Sequence, residues 1–257
     1  MSTIQLQQDG AVATVTLSHP GKLNAINVAM WEQLCATFSV LSLNHDLRCV
    51  IVRGAGENFA AGADIEEFPR TRSTIEQGIH YHQEIIAPAL QAIAECLHPT
   101  IAAIEGVCVG GGLEIACACD LRIAAPTARF GIPINRLGFP LASGELQGLL
   151  QLIGKARALE ILLEGRVFDA AEAKDKGLLQ RIAGDVHAAA QESAARIAAG
   201  APLAARLNKQ LIRRLMPAVA PLDQHELDSA FSFLASDDYH EGVQSFLDKR
   251  APIFTGK

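Results

Sequence analysis

Hydrophobic and polar positions follow two periods along this chain, and those periods predict its elements. Residues 11–17, "AVATVTL", set Ala11, Ala13, Val15 and Leu17 against Val12, Thr14 and Thr16. This period of two, after the turn signal Asp9-Gly10, predicts a hairpin strand. Met30, Leu34, Phe38 and Leu41 then recur at helical steps, and residues 48–56, "RCVIVRGAG", form a short β-branched run closed by glycine. Strand, helix and strand in succession are the signature of a parallel α/β sheet. The stripe Ile75, Ile79, Ile86, Ile93 and Leu97 predicts one long helix, stopped by Pro99. "TIAAIEGV" (100–107) reads as the next buried strand, residues 112–119 as a helix, and "LRIAAP" (121–126) as another strand.

Beyond about residue 145 the pattern changes to alanine- and leucine-rich segments broken at Gly154, Gly165, Gly177, Gly184, Pro202 and Pro217. The last sixty residues or so read as helical throughout, with no strong strand. Such a tail on an α/β core serves either association between subunits or packing on its own core, and periodicity alone leaves both open.

Composition narrows the class. The 257 residues are 49% hydrophobic and 19% charged, enough for a substantial core and unlike a disordered chain. No apolar run reaches the ~18 residues of a membrane span. The opening "MSTIQLQQDG" has neither a basic nor a hydrophobic segment, so a cytoplasmic location is expected. A formal charge of −6 argues against nucleic-acid binding, although a few local cations suffice for a phosphorylated ligand.

The six cysteines lie among aliphatic residues and read as reduced core side chains. Cys117 and Cys119, like His80 and His82, are two apart on predicted helices and diverge, so no metal site is expected. "GAGENF" (54–59) has Phe59 where a dinucleotide fingerprint needs its third glycine. No Lys-Ser or Lys-Thr follows a glycine loop, and Ser143 lacks the glycines of a nucleophile elbow.

What remains is "VCVGGGLEIACACD" (107–120), where Gly110, Gly111 and Gly112 precede a lone carboxylate, Glu114, in apolar surroundings. A charge in such company costs several kcal/mol unless partners or a raised pKa relieve it. A second small-residue corner, "FAAGADIEE" (59–67), shares the strand-to-helix character. At such corners the first helical N–H groups are unpaired and partly positive, and two of them together make an oxyanion hole. Read singly, each glycine set serves equally well to let helix and strand pack closely.

The two stretches together, in this order and separation, resemble the enoyl-CoA hydratase/isomerase family, also called the crotonase family. "HPGKLNAI" (19–26) is similar to that family's N-terminal element, "FGIPINRLGFP" (130–140) to its next segment, and "EGVQSFLDKRAPIF" (241–254) to its C-terminus. The resemblance covers nearly the whole chain. It implies an α/β fold, a crotonase-like spiral of ββα repeats over residues 1–196. A C-terminal helical oligomerisation region over 197–257 would follow, giving a homotrimer or a dimer of trimers.

The resemblance also implies an acyl-CoA substrate, with coenzyme A entering as part of the thioester and no tightly bound cofactor. The N–H groups of Ala63 and Gly111 would hold the thioester oxygen, and Glu114 would move the proton. A second hydratase glutamate would directly follow Pro133, where this chain has Ile134. Glu145 is the candidate substitute, against its plainer reading as a first-turn glutamate complementing a helix dipole. Lys22, Ala61, Asp64, Ile65, Phe246 and Lys249 match positions near coenzyme A, the last two in related enzymes from an adjacent subunit. The expected activity is enoyl-CoA hydration or dehydration. With one carboxylate replaced, isomerisation, decarboxylation or weakly active acyl-CoA binding remain alternatives.

Overall fold

The computed structural model describes residues 2–216 and 220–257, and Pro217 lies outside them. The chain opens with the hairpin β1 (Thr3–Asp9) and β2 (Val12–Ser18), then α1 (Val28–Leu43) and β3 (Cys49–Gly54). Three helices follow, α2 (Phe68–Thr71), α3 (Ile75–His80) and α4 (Ala87–Ala94), before β4 (Thr100–Ile104) and β5 (Val107–Val109). Next come α5 (Gly111–Ala118), β6 (Leu121–Ala124), β7 (Arg129–Gly131) and α6 (Ser143–Glu164). The chain continues through β8 (Phe168–Asp169), α7 (Ala170–Asp175), β9 (Arg181–Ile182) and α8 (Val186–Ala199). It closes with α9 (Pro202–Leu215), α10 (Gln224–Phe231) and α11 (Asp237–Leu247).

Six strands form one sheet in the order β1-β2-β3-β4-β6-β9, parallel except for the opening hairpin, while β5, β7 and β8 form a second, smaller sheet. Alternation along the strands explains the two cores. Val50, Val52, Ala102 and Ile104 face the main core with Met30, Trp31, Leu34 and Phe38 of α1, while Cys49, Ile51, Ile101 and Ala103 face α8 through Val186, Ala190 and Ala194. The predicted spacing of α1 is the observed one: Met30, Leu34, Phe38 and Leu41 are buried, and the Met30 N–H donates to the Asn27 side chain as N-cap.

The structure departs from the sequence pattern in three places. The stripe from Ile75 does not run as one α-helix: a π-helical turn, Tyr81–Ile86, separates α3 from α4, which ends at Ala94. The stretch 100–107 is two strands, because Gly106 adopts φ +51 and a Cβ there would meet the Glu57 carbonyl at 2.2 Å. That bend moves the chain from the large sheet to the small one. The weak strands β8 and β9 lie beyond residue 145, where no strong strand is expected; each is two residues long and gives no periodic signal. α8 runs across residue 196, so a boundary drawn there falls within a helix, and the nearest break is its C-cap Gly200. No helix is long and apolar enough to cross a membrane among the described residues.

Candidate active site

Two chain corners meet in the wall of one cavity of about 890 Å³. The first corner is stitched to the N-terminal element: the Ile26 N–H donates to the Gly62 carbonyl at 2.7 Å and the Asp64 N–H to the Ile26 carbonyl at 2.9 Å. A parallel bridge of this kind engages Ala63's neighbours and leaves the Ala63 N–H itself free of a backbone acceptor among the described residues. Asn24 locks the element in place. Its amide donates to the Ala55 and Asn58 carbonyls at 2.9 and 2.8 Å, and its Oδ1 accepts from the His19 N–H at 3.0 Å.

The second corner is the three-glycine turn, and each glycine meets a different requirement. Gly110 takes φ +52 and sends its N–H to the Gly131 carbonyl at 2.9 Å, turning the chain out of β5. Gly112 permits close packing, since a Cβ would lie 2.2 Å from the Ala60 carbonyl oxygen. Gly111 opens α5, where a first-turn N–H has no acceptor within its helix. A Cβ on Gly111 would lie 3.5 Å from the Ala63 nitrogen, and one on Gly62 would lie 3.4 Å from the Gly111 nitrogen. The two amides therefore sit side by side although nearly fifty residues separate them in sequence. At the other end of α5, Arg122 donates to the Ala116 and Cys119 carbonyls at 3.2 and 2.6 Å, complementing the negative end of the helix.

Glu114 and Glu145 line the cavity with these amides. Glu114 is on the first turn of α5 and is buried; burial, reinforced by the charge of Glu145 and opposed by Arg72, pushes its carboxyl well above the usual range. Glu145, on the first turn of α6, is raised to about 8 by burial, against the Arg72 charge and a backbone hydrogen bond at Ala142. Its Oε1 is hydrogen-bonded to His82 Nδ1. Burial, then Arg72, holds the His82 imidazole well below its ordinary pKa, so it is neutral. Ile134, at the position the resemblance reserves for a second glutamate, lines the same cavity as an apolar wall.

The remaining expected positions border this cavity too: Lys22, Ala61, Asp64, Ile65, Phe246 and Lys249, the last two from the same chain. Their charges differ from the simple expectation. Lys22 Nζ bonds both oxygens of Asp64, at 3.1 and 2.8 Å, and Glu66 at 2.9 Å, so its charge is already answered. Lys249 is exposed and makes no ion pair among the described residues, as does Arg136, which also lines the cavity.

Sequence reasoning missed Arg72 altogether and treated His82 only as a metal candidate. Arg72 lies in "PRTRST", which reads as surface, and its burial arises from packing against α11 and the 3-10 turn Ser232–Ala235, far along the chain. His82 carried no usable signal, because Glu145 is its partner only through tertiary contact.

The chain is similar to known proteins along nearly its whole length. The profile of the enoyl-CoA hydratase/isomerase family matches residues 7–257. A Mycobacterium bovis protein named "Probable enoyl-CoA hydratase echA8" is 35% identical, the match covering 98% of each chain. A short-chain-enoyl-CoA hydratase of Clostridium acetobutylicum is 33% identical over 97% of this chain and 96% of its own. Among solved structures, an enoyl-CoA hydratase/carnithine racemase from Magnetospirillum magneticum shares 46% identity at a TM-score of 0.82, covering 100% of this chain and 97% of that one. A methylmalonyl-CoA decarboxylase in complex with 2-nitronate-propionyl-CoA shares 27% identity at a TM-score of 0.88, covering 99% and 98%. Matched along nearly its whole length, and with the crotonase fold, the chain belongs to the enoyl-CoA hydratase/isomerase family.

Proposed function

We propose that this protein is an acyl-CoA enzyme of the enoyl-CoA hydratase kind, adding water to a 2-enoyl-CoA or removing it from a 3-hydroxyacyl-CoA. The observation that carries the reading is the meeting of two backbone N–H groups, Ala63 and Gly111, beside two buried carboxyls in one cavity. In hydration, one carboxylate takes a proton from water as the oxygen bonds to C3. The electron pair of the double bond moves onto the thioester oxygen, which receives the two amide hydrogens. The second carboxyl, protonated, then gives its proton to C2 and the thioester carbonyl is restored. A shared proton suits this work, because burial disfavours ionisation of both acids and the charge of Glu145 further disfavours that of Glu114. Preorganised amides at the oxygen are worth on the order of 100- to 1,000-fold in rate.

Glu145 takes the place of the glutamate that Ile134 lacks. Coenzyme A lies along Ala61, Asp64 and Ile65, with Lys249 and Arg136 facing its phosphates and Phe246 its nucleotide end, while Lys22 braces Asp64. The reaction needs no metal and no tightly bound cofactor. Self-association into a trimer or dimer of trimers is supported by α9, whose amphipathicity is inverted. Lys209 and Arg213 reach inward to the His98 and Ala94 carbonyls at 3.1 and 2.9 Å, while Leu203, Leu207, Leu211 and Leu215 face outward. The helices beyond Gly200 are accordingly read as the oligomerisation region.

Following the loss of conjugated thioester absorbance from crotonyl-CoA tests this reading. Hydration of crotonyl-CoA, or of its carboxylated counterpart glutaconyl-CoA, by the native protein and its collapse in Glu114→Gln support it, and absence of turnover on both refutes it. A second reading, decarboxylation of a malonyl-type thioester, is favoured by the high structural similarity to methylmalonyl-CoA decarboxylase. There the bond to the departing carboxylate would break onto the same oxygen, and C2 would take its proton from a buried acid. Release of carbon dioxide from methylmalonyl-CoA distinguishes the two.

A further inference from the structure

Arg72 is 1% exposed at the end of α2 and borders the same cavity as Ala63, Gly111, Glu114 and Glu145. Among the described residues its guanidinium donates no hydrogen bond, and Nε and Nη2 are buried without a partner. Arginine does not give up its proton in a protein, so a full charge stands there with nothing bonded to it. The fold's other deeply buried arginine is different: Arg122 donates to four backbone carbonyls, those of Leu178, Ala116, Cys119 and Asp120. Burial of an arginine for packing alone would be expected to follow that second pattern.

The surroundings of Arg72 fix its direction without satisfying it. Its guanidinium carbon lies 4.3 Å from the ring centre of Phe68 and 4.2 Å from that of Phe139, with Tyr239, Tyr81 and Phe233 between 5.5 and 5.9 Å. Aromatic faces attract a cation and accept none of its directed hydrogens. Phe68, Tyr81 and Phe139 also line the cavity, so the clamp opens onto the space the acyl group would enter. Glu114 and Glu145 share that space, yet neither forms an ion pair with Arg72. Neither carboxyl accepts a hydrogen bond from the guanidinium, so its Nε and Nη2 keep no partner.

Resting on the acyl-CoA reading above, we propose that the acyl group of the substrate carries a carboxylate of its own, bound by the planar fork of Arg72. The thioester oxygen takes the Ala63 and Gly111 amides at one point of the cavity, and the free carboxylate takes the guanidinium at another. A bidentate arginine–carboxylate pair in a closed site is strong and directional. An uncharged acyl chain would instead leave the buried charge without a partner, and sites built for a polar group reject analogues that lack it.

The test is calorimetric binding of unreactive thioesters to the full-length protein: succinyl- and glutaryl-CoA against butyryl- and pentanoyl-CoA, matched in chain length. The native protein is expected to bind the charged member of each pair on the order of 100-fold more tightly. Arg72→Met should bring the ratio to about one, and Arg72→Lys should keep part of it, with circular dichroism reporting the folding of each variant. If Arg72→Met does not fold, the native ratio and Arg72→Lys decide. A native ratio near one, with butyryl-CoA well bound, overturns this inference and leaves the acyl-CoA reading standing. Failure of all four thioesters to bind overturns both.

Discussion

The carboxyls of Glu114 and Glu145 enter one cavity from the first turns of two different helices, α5 and α6. Each helix N-terminus favours the anion, while burial disfavours it more strongly, and the net direction for both is upward. One ionised and one protonated carboxyl in the same closed space are what proton transfer at a thioester requires. Ile134 lines the same cavity as an apolar wall, and the second carboxyl there comes from the helix that follows.

The raised acid has a consequence for stability. A carboxyl whose folded-state pKa is above its unfolded value stabilises the fold fully below the unfolded pKa, and that contribution is lost as pH rises through the folded one. For Glu145 the window runs from about 4.5 to about 8. Glu145→Gln, an uncharged isostere, should match the native protein near pH 4 and exceed its stability by about 2–4 kcal/mol near pH 8. Denaturant titrations across that range check the trend.

Gly111 and Gly112 should fail differently when given a methyl group. At Gly112 the Cβ would lie 2.2 Å from the Ala60 carbonyl oxygen, so Gly112→Ala should destabilise by about 1–3 kcal/mol or more. At Gly111 the nearest atom is Trp31 Cζ2 at 3.0 Å, and the methyl would stand 3.5 Å from the Ala63 nitrogen, between the two amides. Gly111→Ala should lose on the order of 100-fold in rate with a smaller drop in Tm. Thermal melts alongside crotonyl-CoA kinetics separate the two.

Asn24 is buried in a left-handed conformation, φ +57, that asparagine tolerates better than most residues. Asn24→Ala strands two carbonyls and an N–H, and should cost about 2–3 kcal/mol. The N-terminal element it fixes is bonded to Gly62 and Asp64, so activity should fall as well, more in kcat than in KM. Urea unfolding and steady-state kinetics report the two effects.

The outward leucines of α9 give a prediction about assembly. Leu207 and Leu211 are 56% and 58% exposed. The double change Leu207→Glu with Leu211→Glu should shift the protein to monomers in sedimentation velocity at micromolar concentration.

The elements built on local periodicity were readable in the sequence: β2, α1, β3, α5 and β6 fall where alternation or helical spacing puts them. The junction of β4 and β5 was hidden because one glycine's backbone angle, not a change of hydrophobic pattern, makes the bend. For the site, small residues mark the two corners and an isolated charge marks Glu114, since both are anomalies against their neighbours, while the positions Ala63 and Gly111 come from the family resemblance. Arg72 and His82 carry no such anomaly. An arginine beside other polar residues and a histidine between a tyrosine and a glutamine look ordinary until distant aromatic rings and Glu145 close over them.

The most direct measurement is hydration of crotonyl-CoA in D2O by the native, Glu114→Gln and Glu145→Gln proteins, read by NMR at C2 of the 3-hydroxybutyryl product. We expect one deuterium at C2 from the native protein and rates lower by ~100- to 10,000-fold in each variant. A native protein that leaves both crotonyl-CoA and the carboxylated glutaconyl-CoA unchanged, or a Glu114→Gln variant that hydrates its substrate at the native rate, would contradict the account.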